Sequence, residues 1–180
     1  MQRVVLDTCV LFPNYLRDTL LRLAEVELYE PLWSVDILDE LTRNVAERIG
    51  DLKAKRLVGV MADAFPESLV SGDAPLIPAM TNDPKDRHVL AAAIGGSAHA
   101  VVTLNLKDFP PAAAEPYGIE VLHPDEFLLD MLDLVPVEVG AVLRTQVGGY
   151  RNEPRDLHGL LDRISAGGAP QFAAEFRRRL

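Results

Sequence analysis

The sequence predicts an α/β fold in which a central parallel sheet is followed by an all-helical segment. Up to residue 124, short apolar runs typical of buried strands alternate with longer amphipathic segments typical of helices. Beyond residue 124 only amphipathic helical patterns follow. Strands that alternate with helices usually form one parallel sheet with right-handed crossovers. We therefore expect a sheet-containing domain over residues 1–124 and a helical extension over residues 125–180.

The strands predicted within residues 1–124 are short apolar runs rich in β-branched residues. They cover residues 3–6, 100–104 and 119–122. Leu76-Ile77 is a candidate for a further strand inside a loop-like stretch, and residues 30–33 form a short extended piece.

The predicted helices are segments with an apolar stripe at helical spacing. In residues 1–124 they cover 15–29, 35–49, 53–65 and 83–94. Ser34 is a suitable N-cap for the second of them. The fourth begins at Asp83-Pro84, an N-cap acid followed by proline at the first helical position. In the extension, Asp125 is expected to cap a helix that ends near residue 134, and three more helices follow at 137–147, 155–165 and 170–179.

Composition excludes several classes of site. The chain has 180 residues, 48% of them apolar, and a formal net charge of −9. This charge argues against nucleic-acid binding by general electrostatic attraction, unless the excess acid is concentrated where cations bind. The single Cys9 excludes a disulfide framework and a cysteine-built zinc site. No apolar run approaches the ~20 residues of a membrane span, and the N-terminus does not resemble a signal peptide. We expect a cytoplasmic protein with no membrane association.

Polar side chains follow two of the predicted strands at the points where they end. Asp7 follows the first strand, and Asn105 and Asp108 follow the strand over residues 100–104. Ligands of open α/β sheets bind outside the carboxyl ends of the strands, so these side chains are expected to share one crevice. Taken singly, each is equally well explained as a turn or cap residue.

Two helical acids are further candidates. Glu40 borders the buried stripe of the helix predicted over residues 35–49, and Asp86 lies beside the buried face of the helix predicted over residues 83–94. As single residues they also fit an exposed flank and a first-turn acid favoured by the helix dipole. Clustered carboxylates without cations repel one another, and a hard divalent cation such as Mg²⁺ or Mn²⁺ reverses that cost. Such clusters serve metal-assisted displacement at phosphorus.

Four segments in order resemble PIN-domain ribonucleases, and most closely the VapC-type toxins of bacterial toxin–antitoxin pairs. They are Val4-Val5-Leu6-Asp7-Thr8, Ile37-Leu38-Asp39-Glu40-Leu41, Asp83-Pro84-Lys85-Asp86-Arg87-His88 and Val101-Val102-Thr103-Leu104-Asn105-Leu106-Lys107-Asp108-Phe109. The resemblance covers roughly residues 1–124. It implies a three-layer α/β/α fold, Mg²⁺ or Mn²⁺ as cofactor and single-stranded RNA as substrate. Its further implications are a cognate antitoxin as partner and a homodimer.

The resemblance also assigns site residues. Asp7, Glu40 and Asp86 match the metal-binding acids of the family, with a catalytic role. The fourth position departs from the pattern, because many relatives carry Asp where Asn105 stands. Asp108 is the alternative fourth ligand. Residues 125–180 lie outside the minimal family pattern and resemble a helical extension found in a subset of PIN proteins.

Residues near the candidate acids also have predicted roles. Cys9 is interpreted as a small buried hydrophobe. Thr8 and Thr103 either hydrogen-bond the acids or pack at strand ends. The basic residues expected to flank the crevice and to contact RNA phosphates are Arg17, Arg22, Lys85, Arg87 and Lys107.

Other functions remain as alternatives. Two of them are disfavoured by the sequence: a haloacid-dehalogenase-like phosphatase needs a second acid where Cys9 stands, and a receiver domain needs an acid pair before its acceptor strand, but none precedes Asp7. An RNA-processing nuclease without a toxin role fits the same residues. A catalytically degenerate PIN fold that serves as a binding module is the non-enzymatic alternative, because Asn105 carries no charge.

Overall fold

The computed structural model describes residues 1–180 and contains four strands and ten α-helices. The strands are β1 (Arg3–Leu6), β2 (Glu30–Leu32), β3 (Ala100–Val102) and β4 (Glu120–Leu122). The helices of the first 122 residues are α1 (Thr8–Leu11), α2 (Asn14–Glu25), α3 (Val35–Ile49), α4 (Asp51–Ala64), α5 (Arg87–Gly95) and α6 (Pro111–Ala114). The helices that follow are α7 (Pro124–Leu134), α8 (Pro136–Gly148), α9 (Leu157–Ala166) and α10 (Pro170–Arg178).

The four strands form one parallel sheet with the order β2-β1-β3-β4. Helices flank this sheet, so the predicted α/β/α arrangement with a helical C-terminal segment is confirmed. The piece over residues 30–33 contributes β2, where Pro31 is tolerated because the strand lies at an edge. The two central strands, β1 and β3, end side by side, and the backbone N–H of Asp7 donates to Val102 at 3.1 Å.

Two predicted elements differ from the structure. Leu76-Ile77 is not a strand but part of a 3₁₀ helix, Ala74–Ala79. Pro75 and Pro78 lack the N–H that a strand needs for its ladder, which explains the difference. The helix expected from residue 83 begins only at Arg87, since the Asp83 carboxylate accepts the Lys85 N–H at 3.0 Å and closes a turn first.

Two elements end earlier in the structure than the sequence predicts. The helix expected to reach residue 29 ends at Glu25, because Glu27 adopts a left-handed φ of 59° and Leu28 bonds back to Leu23. The strand expected to reach residue 104 ends at Val102. The N–H of Leu104 is turned toward the Cys9 sulfur instead of a neighbouring strand.

The cap of α7 is a further correction. Asp125 does not cap this helix, because Pro124 already occupies the first helical position and His123 is therefore the cap. Nδ1 of His123 accepts the Asp125 N–H at 3.2 Å. The buried Asp125 carboxylate instead accepts the N–H groups of Gln171 and Phe172, at 3.2 and 2.8 Å. Asp125 thus fixes the start of α10 onto α7.

The helical extension shares one hydrophobic core with the sheet-containing part. A single cluster of 46 buried residues runs through both parts. Tyr29 and Phe127 meet edge to face with ring centroids 5.0 Å apart. The fully buried Gln146 of α8 receives a hydrogen bond from Thr19 of α2 at 2.9 Å. No helix of the structure is long and apolar enough to cross a membrane.

Candidate metal centre at the ends of the central strands

Asp7 lies at the centre of the candidate site, directly after β1. Its side chain is 3% exposed and does not cap α1, so the carboxylate is available for other contacts. Oδ2 accepts hydrogen bonds from the Thr103 hydroxyl at 2.7 Å and from the Cys9 thiol at 3.2 Å. Burial raises the pKa of Asp7, the two hydrogen bonds lower it, and the charge of Glu40 raises it again. The net result is a raised pKa.

Cys9 and Thr103 connect Asp7 to the segment that follows β3. The Cys9 sulfur accepts the N–H of Leu104 at 3.2 Å, and the Thr103 hydroxyl accepts the N–H of Asn105 at 3.1 Å. The interpretation of Cys9 as a mere buried hydrophobe is therefore wrong: it is half-buried and part of a polar network. Burial, followed by the charge of Asp7, raises its thiol pKa to about 12. The thiol consequently stays protonated at neutral pH and can donate to Asp7.

Of the two threonines, only Thr103 hydrogen-bonds Asp7. The Thr8 hydroxyl instead donates to the backbone oxygen of Ile37 at 3.4 Å, which ties α1 to α3. This contact fixes the start of α1 against the helix that carries Glu40.

Glu40 projects from α3 toward His88 of α5. The Glu40 Oε2 to His88 Nε2 distance is 3.4 Å, which fits an ion pair, although Nε2 makes no well-aligned hydrogen bond. His88 lowers the pKa of Glu40. Burial opposes a charge on His88, but Glu40, with Asp7 and Asp36, raises its pKa overall. Sequence reasoning missed His88, although its place two residues after Asp86 in the third PIN-like segment was a usable signal.

Asp86 occupies the residue before α5 and makes no side-chain cap bond there. Burial raises its pKa to about 6, with further contributions from the charges of Asp7 and Asp108 that His88 only partly offsets. A carboxylate is most costly to ionise where other carboxylates surround it without a cation. Asp86 therefore belongs to the same acidic cluster as Asp7 and Asp108.

Asn105 directly precedes a short 3₁₀ helix, Leu106–Asp108, and Asp108 is the last residue of that helix. Residues three apart in such a helix lie on the same side. Asp108 is half-buried, its charge acts on Asp86, and its backbone oxygen accepts the Asp83 N–H at 3.0 Å. Asn105 is exposed. Asp108 is the one of the two whose charge contributes to the raised pKa of Asp86.

Two of the five basic residues expected to contact RNA are engaged elsewhere. Arg17 is buried and donates to the backbone oxygen of Leu11 at 2.7 Å, which closes the end of α1. Arg22 pairs with Asp18 at 2.8 Å. The expectation that Arg17 holds a phosphate is therefore wrong, and that for Arg22 stays a prediction.

The other three basic residues are direct sequence neighbours of Asp86 and Asp108. Lys85 and Lys107 are exposed. Arg87 is half-buried, and its Nε donates to the backbone oxygen of Asn82 at 3.3 Å. No lysine or arginine forms an ion pair with Asp7, Asp86 or Asp108.

The acidic cluster fits a hard divalent cation by the chemistry of its donors. Carboxylate and amide oxygens are the ligands that Mg²⁺ and Mn²⁺ prefer. Burial and then the charges of Asp7 and Asp108 raise the pKa of Asp86, and His88 offsets this only in part. As they stand, no three His, Cys, Asp or Glu side chains lie close enough together to hold one ion. Binding would therefore require side-chain rotations.

Comparison with known proteins identifies the family of the chain. Residues 3–107 match the family described as PIN domain. The chain belongs to the PIN-domain family. A second segment of this PIN protein, residues 124–178, matches the family described as VapC50 C-terminal domain.

One curated relative of this PIN protein is named "Putative ribonuclease VapC50" and comes from Mycobacterium tuberculosis strain H37Rv. It is 52% identical over 103 residues, which cover 57% of this chain and 60% of the relative. The match therefore spans less than two thirds of that protein's length. No solved structure matches the chain. The resemblance to VapC-type PIN proteins with a C-terminal extension is confirmed.

Proposed function

We propose that this PIN protein is a Mg²⁺- or Mn²⁺-dependent endoribonuclease that cleaves single-stranded RNA and serves as the toxin of a toxin–antitoxin pair. One observation carries the proposal: Asp7, Glu40, Asp86 and Asp108 interact electrostatically at the ends of β1 and β3, and no lysine or arginine pairs with Asp7, Asp86 or Asp108. The relative named as a ribonuclease supports it.

The chain's own residues have distinct parts in this proposal. Asp7, Glu40 and Asp86, with Asp108 or Asn105 as the fourth ligand, would hold the cation. A divalent ion in such a site supplies an activated water and neutralises the charge that develops on the phosphodiester. Thr103 and Cys9 hold the Asp7 carboxylate in one orientation. His88 does the same for Glu40 from the facing helix.

Substrate binding is assigned to the exposed cations near the cluster. Lys85 and Lys107 contact the RNA phosphates on either side of the scissile bond, while the overall charge of −9 suppresses nonspecific binding to other nucleic acids. A flexible single strand brings its phosphodiester into a crevice at a sheet end more readily than a stiff duplex does.

The proposed antitoxin inhibits by placing an arginine among Asp7, Glu40 and Asp86. Arginine binds carboxylates with two parallel hydrogen bonds and supplies the charge that the cation would otherwise bring. Inhibition should therefore compete with Mn²⁺. If replacing every Arg and Lys in the toxin-binding segment of the antitoxin leaves inhibition unchanged, this mechanism is wrong.

Cleavage of end-labelled RNA tests the proposal. The wild type should cleave a single-stranded oligonucleotide with Mg²⁺ or Mn²⁺, leave the matching duplex intact and stop when EDTA is added. Asp7→Asn should abolish cleavage, whereas Asp39→Asn, which changes an exposed acid beside Glu40, should not. RNA binding without cleavage under every metal condition would favour the degenerate binding module, for which the neutral Asn105 is the supporting observation.

A further inference from the structure

The turn between α9 and α10 packs directly on the segment that follows β3. At Gly168, with φ +121°, an added Cβ would lie 2.5 Å from Cδ2 of Leu104. At Gly167 an added Cβ would lie 3.2 Å from Leu16 and 3.3 Å from Pro13. An added Cβ at Gly168 would overlap the end of the Leu104 side chain unless that side chain moved, so the turn lies against Leu104 without an intervening side chain.

Leu104 connects this turn to the acidic cluster. Its N–H donates to the Cys9 sulfur at 3.2 Å, and the Cys9 thiol donates to Asp7 at 3.2 Å. The neighbouring Thr103 donates to the same Asp7 oxygen at 2.7 Å. A shift of Leu104 that moved its backbone would therefore disturb its bond to Cys9 and, through the adjoining peptide, the position of Thr103.

The position of the turn is itself fixed within the extension. Gly168 donates its N–H to Ser165 at 3.1 Å, and Ala169 donates to Ile164 at 3.2 Å. The Asp125 carboxylate holds the first N–H groups of α10, immediately beyond the turn. The extension thus presents Gly167 and Gly168 as a rigid surface.

We propose that Gly167 and Gly168 are positioning residues of the metal centre: their turn holds Leu104, and through Leu104 and Cys9 it orients Asp7. The extension is then a structural part of the nuclease site. The consequence for metal binding rests on the function proposed above, whereas the mechanical link from Gly168 to Cys9 does not.

The link is tested with the sole cysteine of the chain as probe. Gly168→Ala places a methyl group against Leu104 and should displace Leu104, which weakens the hydrogen bond from its N–H to the Cys9 sulfur. Labelling of Cys9 by a thiol reagent at fixed pH should then accelerate about 10-fold or more, and the Kd for Mn²⁺ of the RNA-free protein should rise by a similar factor. In cleavage assays, kcat should fall while KM stays near its wild-type value.

Gly72→Ala is the matched control. Gly72 also has a positive φ, +83°, but an added Cβ there meets nothing within 4 Å. The Gly72→Ala variant also places alanine at a positive φ, but without a contact like that with Leu104. Its Cys9 labelling rate and Mn²⁺ affinity should therefore remain at wild-type values. Equal effects of the two variants would mean that strain, not the contact with Leu104, is responsible, and would overturn the proposal.

Leu104→Ala and the double variant Gly168→Ala/Leu104→Ala complete the cycle. If the turn acts through Leu104, shortening Leu104 makes room for the new methyl group. Cys9 in the double variant should then be labelled no faster than in whichever single variant is labelled faster. Additive effects, or a folded Gly168→Ala protein with wild-type labelling and Mn²⁺ affinity, would overturn the proposal.

Two further outcomes are informative. If Gly168→Ala does not fold, Gly168→Ala/Leu104→Ala must fold and bind Mn²⁺, because it relieves the clash; if it also fails, the contact is not the cause and the proposal falls. If the wild type binds no Mn²⁺ and cleaves no RNA, the proposed function fails, yet the labelling cycle still decides whether Gly168 controls Cys9.

Discussion

Thr103 donates its hydroxyl hydrogen to the Asp7 carboxylate at 2.7 Å, from the end of one central strand to the end of the other. The two residues are 96 positions apart in the sequence, and both are almost completely buried. A one-residue slip between β1 and β3 would turn these side chains to opposite faces of the sheet. The hydrogen bond therefore depends on the register of the central strands.

Thr103→Val should weaken this centre while preserving the shape of the side chain. The Thr103 bond lowers the pKa of Asp7, so its loss should raise that pKa further. We expect the free energy of unfolding at pH 7 to fall by about 1–3 kcal/mol, as measured by urea denaturation. Mn²⁺ affinity, measured by calorimetry, should fall about 10- to 100-fold. Thr42→Val, which removes a helical hydroxyl bonded to Leu38, should leave Mn²⁺ affinity unchanged.

Asp86→Asn should stabilise the metal-free protein in a defined pH range. The pKa of Asp86 is raised from 3.8 to about 6 in the folded state. The unfolded chain thus loses this proton at lower pH than the folded chain, so the contribution of Asp86 to stability falls as the pH rises from about 4 to about 6. The variant should therefore melt close to the wild type at pH 4 and above it at pH 7.

Mg²⁺ should reverse the order of the two melting temperatures. Mg²⁺ stabilises a protein that binds it only in the folded state, so the wild type should gain in melting temperature with millimolar Mg²⁺, whereas Asp86→Asn should not. Asp39→Asn is the control and should follow the wild type in both respects, because Asp39 is exposed on α3. A wild-type melting temperature that ignores both Mg²⁺ and Mn²⁺ would contradict the proposed centre.

Asp108→Ala should reduce cleavage more than Asn105→Ala. Asp108 carries a charge that acts on Asp86 and is half-buried, whereas Asn105 is neutral and exposed. Loss of a charged ligand from a partly desolvated site costs on the order of several kcal/mol, more than loss of a neutral one. Asn105→Asp should tighten metal binding. Metal titration of the three variants checks this, and an Asp108→Ala protein with unchanged affinity would leave Asn105 as the fourth ligand.

Gln146→Leu should destabilise the attachment of the extension. The buried amide contacts Thr19, the Tyr15 backbone oxygen and the Tyr150 hydroxyl. Leucine would leave these partners unsatisfied, so the free energy of unfolding should fall by about 1–3 kcal/mol or more. Gln171→Leu, at an exposed position on α10, should change it by less than about 0.5 kcal/mol. Equal losses in the two variants would show that the buried network is not responsible.

Most strands and helices were predictable because local patterns determined them, whereas the strand order β2-β1-β3-β4 was not predicted. The helix over 35–49 matches α3 because Ser34 and Gly50 mark its two ends in the sequence. The start of α5 was not predictable in the same way, since Asp83 has two options: its carboxylate could cap a helix or close a turn, and only the tertiary contact of its N–H with Asp108 favours the turn.

The site was predictable as a set of acids but not as a network. Asp7, Glu40 and Asp86 occupy motif positions, so their types and order were sufficient to select them. Their metal-binding roles remain predictions. Cys9 and His88 matter through partners on other strands and helices, which no local pattern reveals. Arg17 was misassigned for the same reason, because a basic residue near a crevice in sequence can equally well be buried against a helix end.

The distance along the chain between Leu104 and Gly168 has a consequence for biosynthesis. A chain made from its N-terminus completes β1, β3 and all the candidate metal ligands before it reaches the turn after α9. Until that turn has been made, Leu104 lacks its contact with Gly168. The candidate site would then reach its final geometry only after the helical extension has been synthesised, which would delay the proposed nuclease activity until that point.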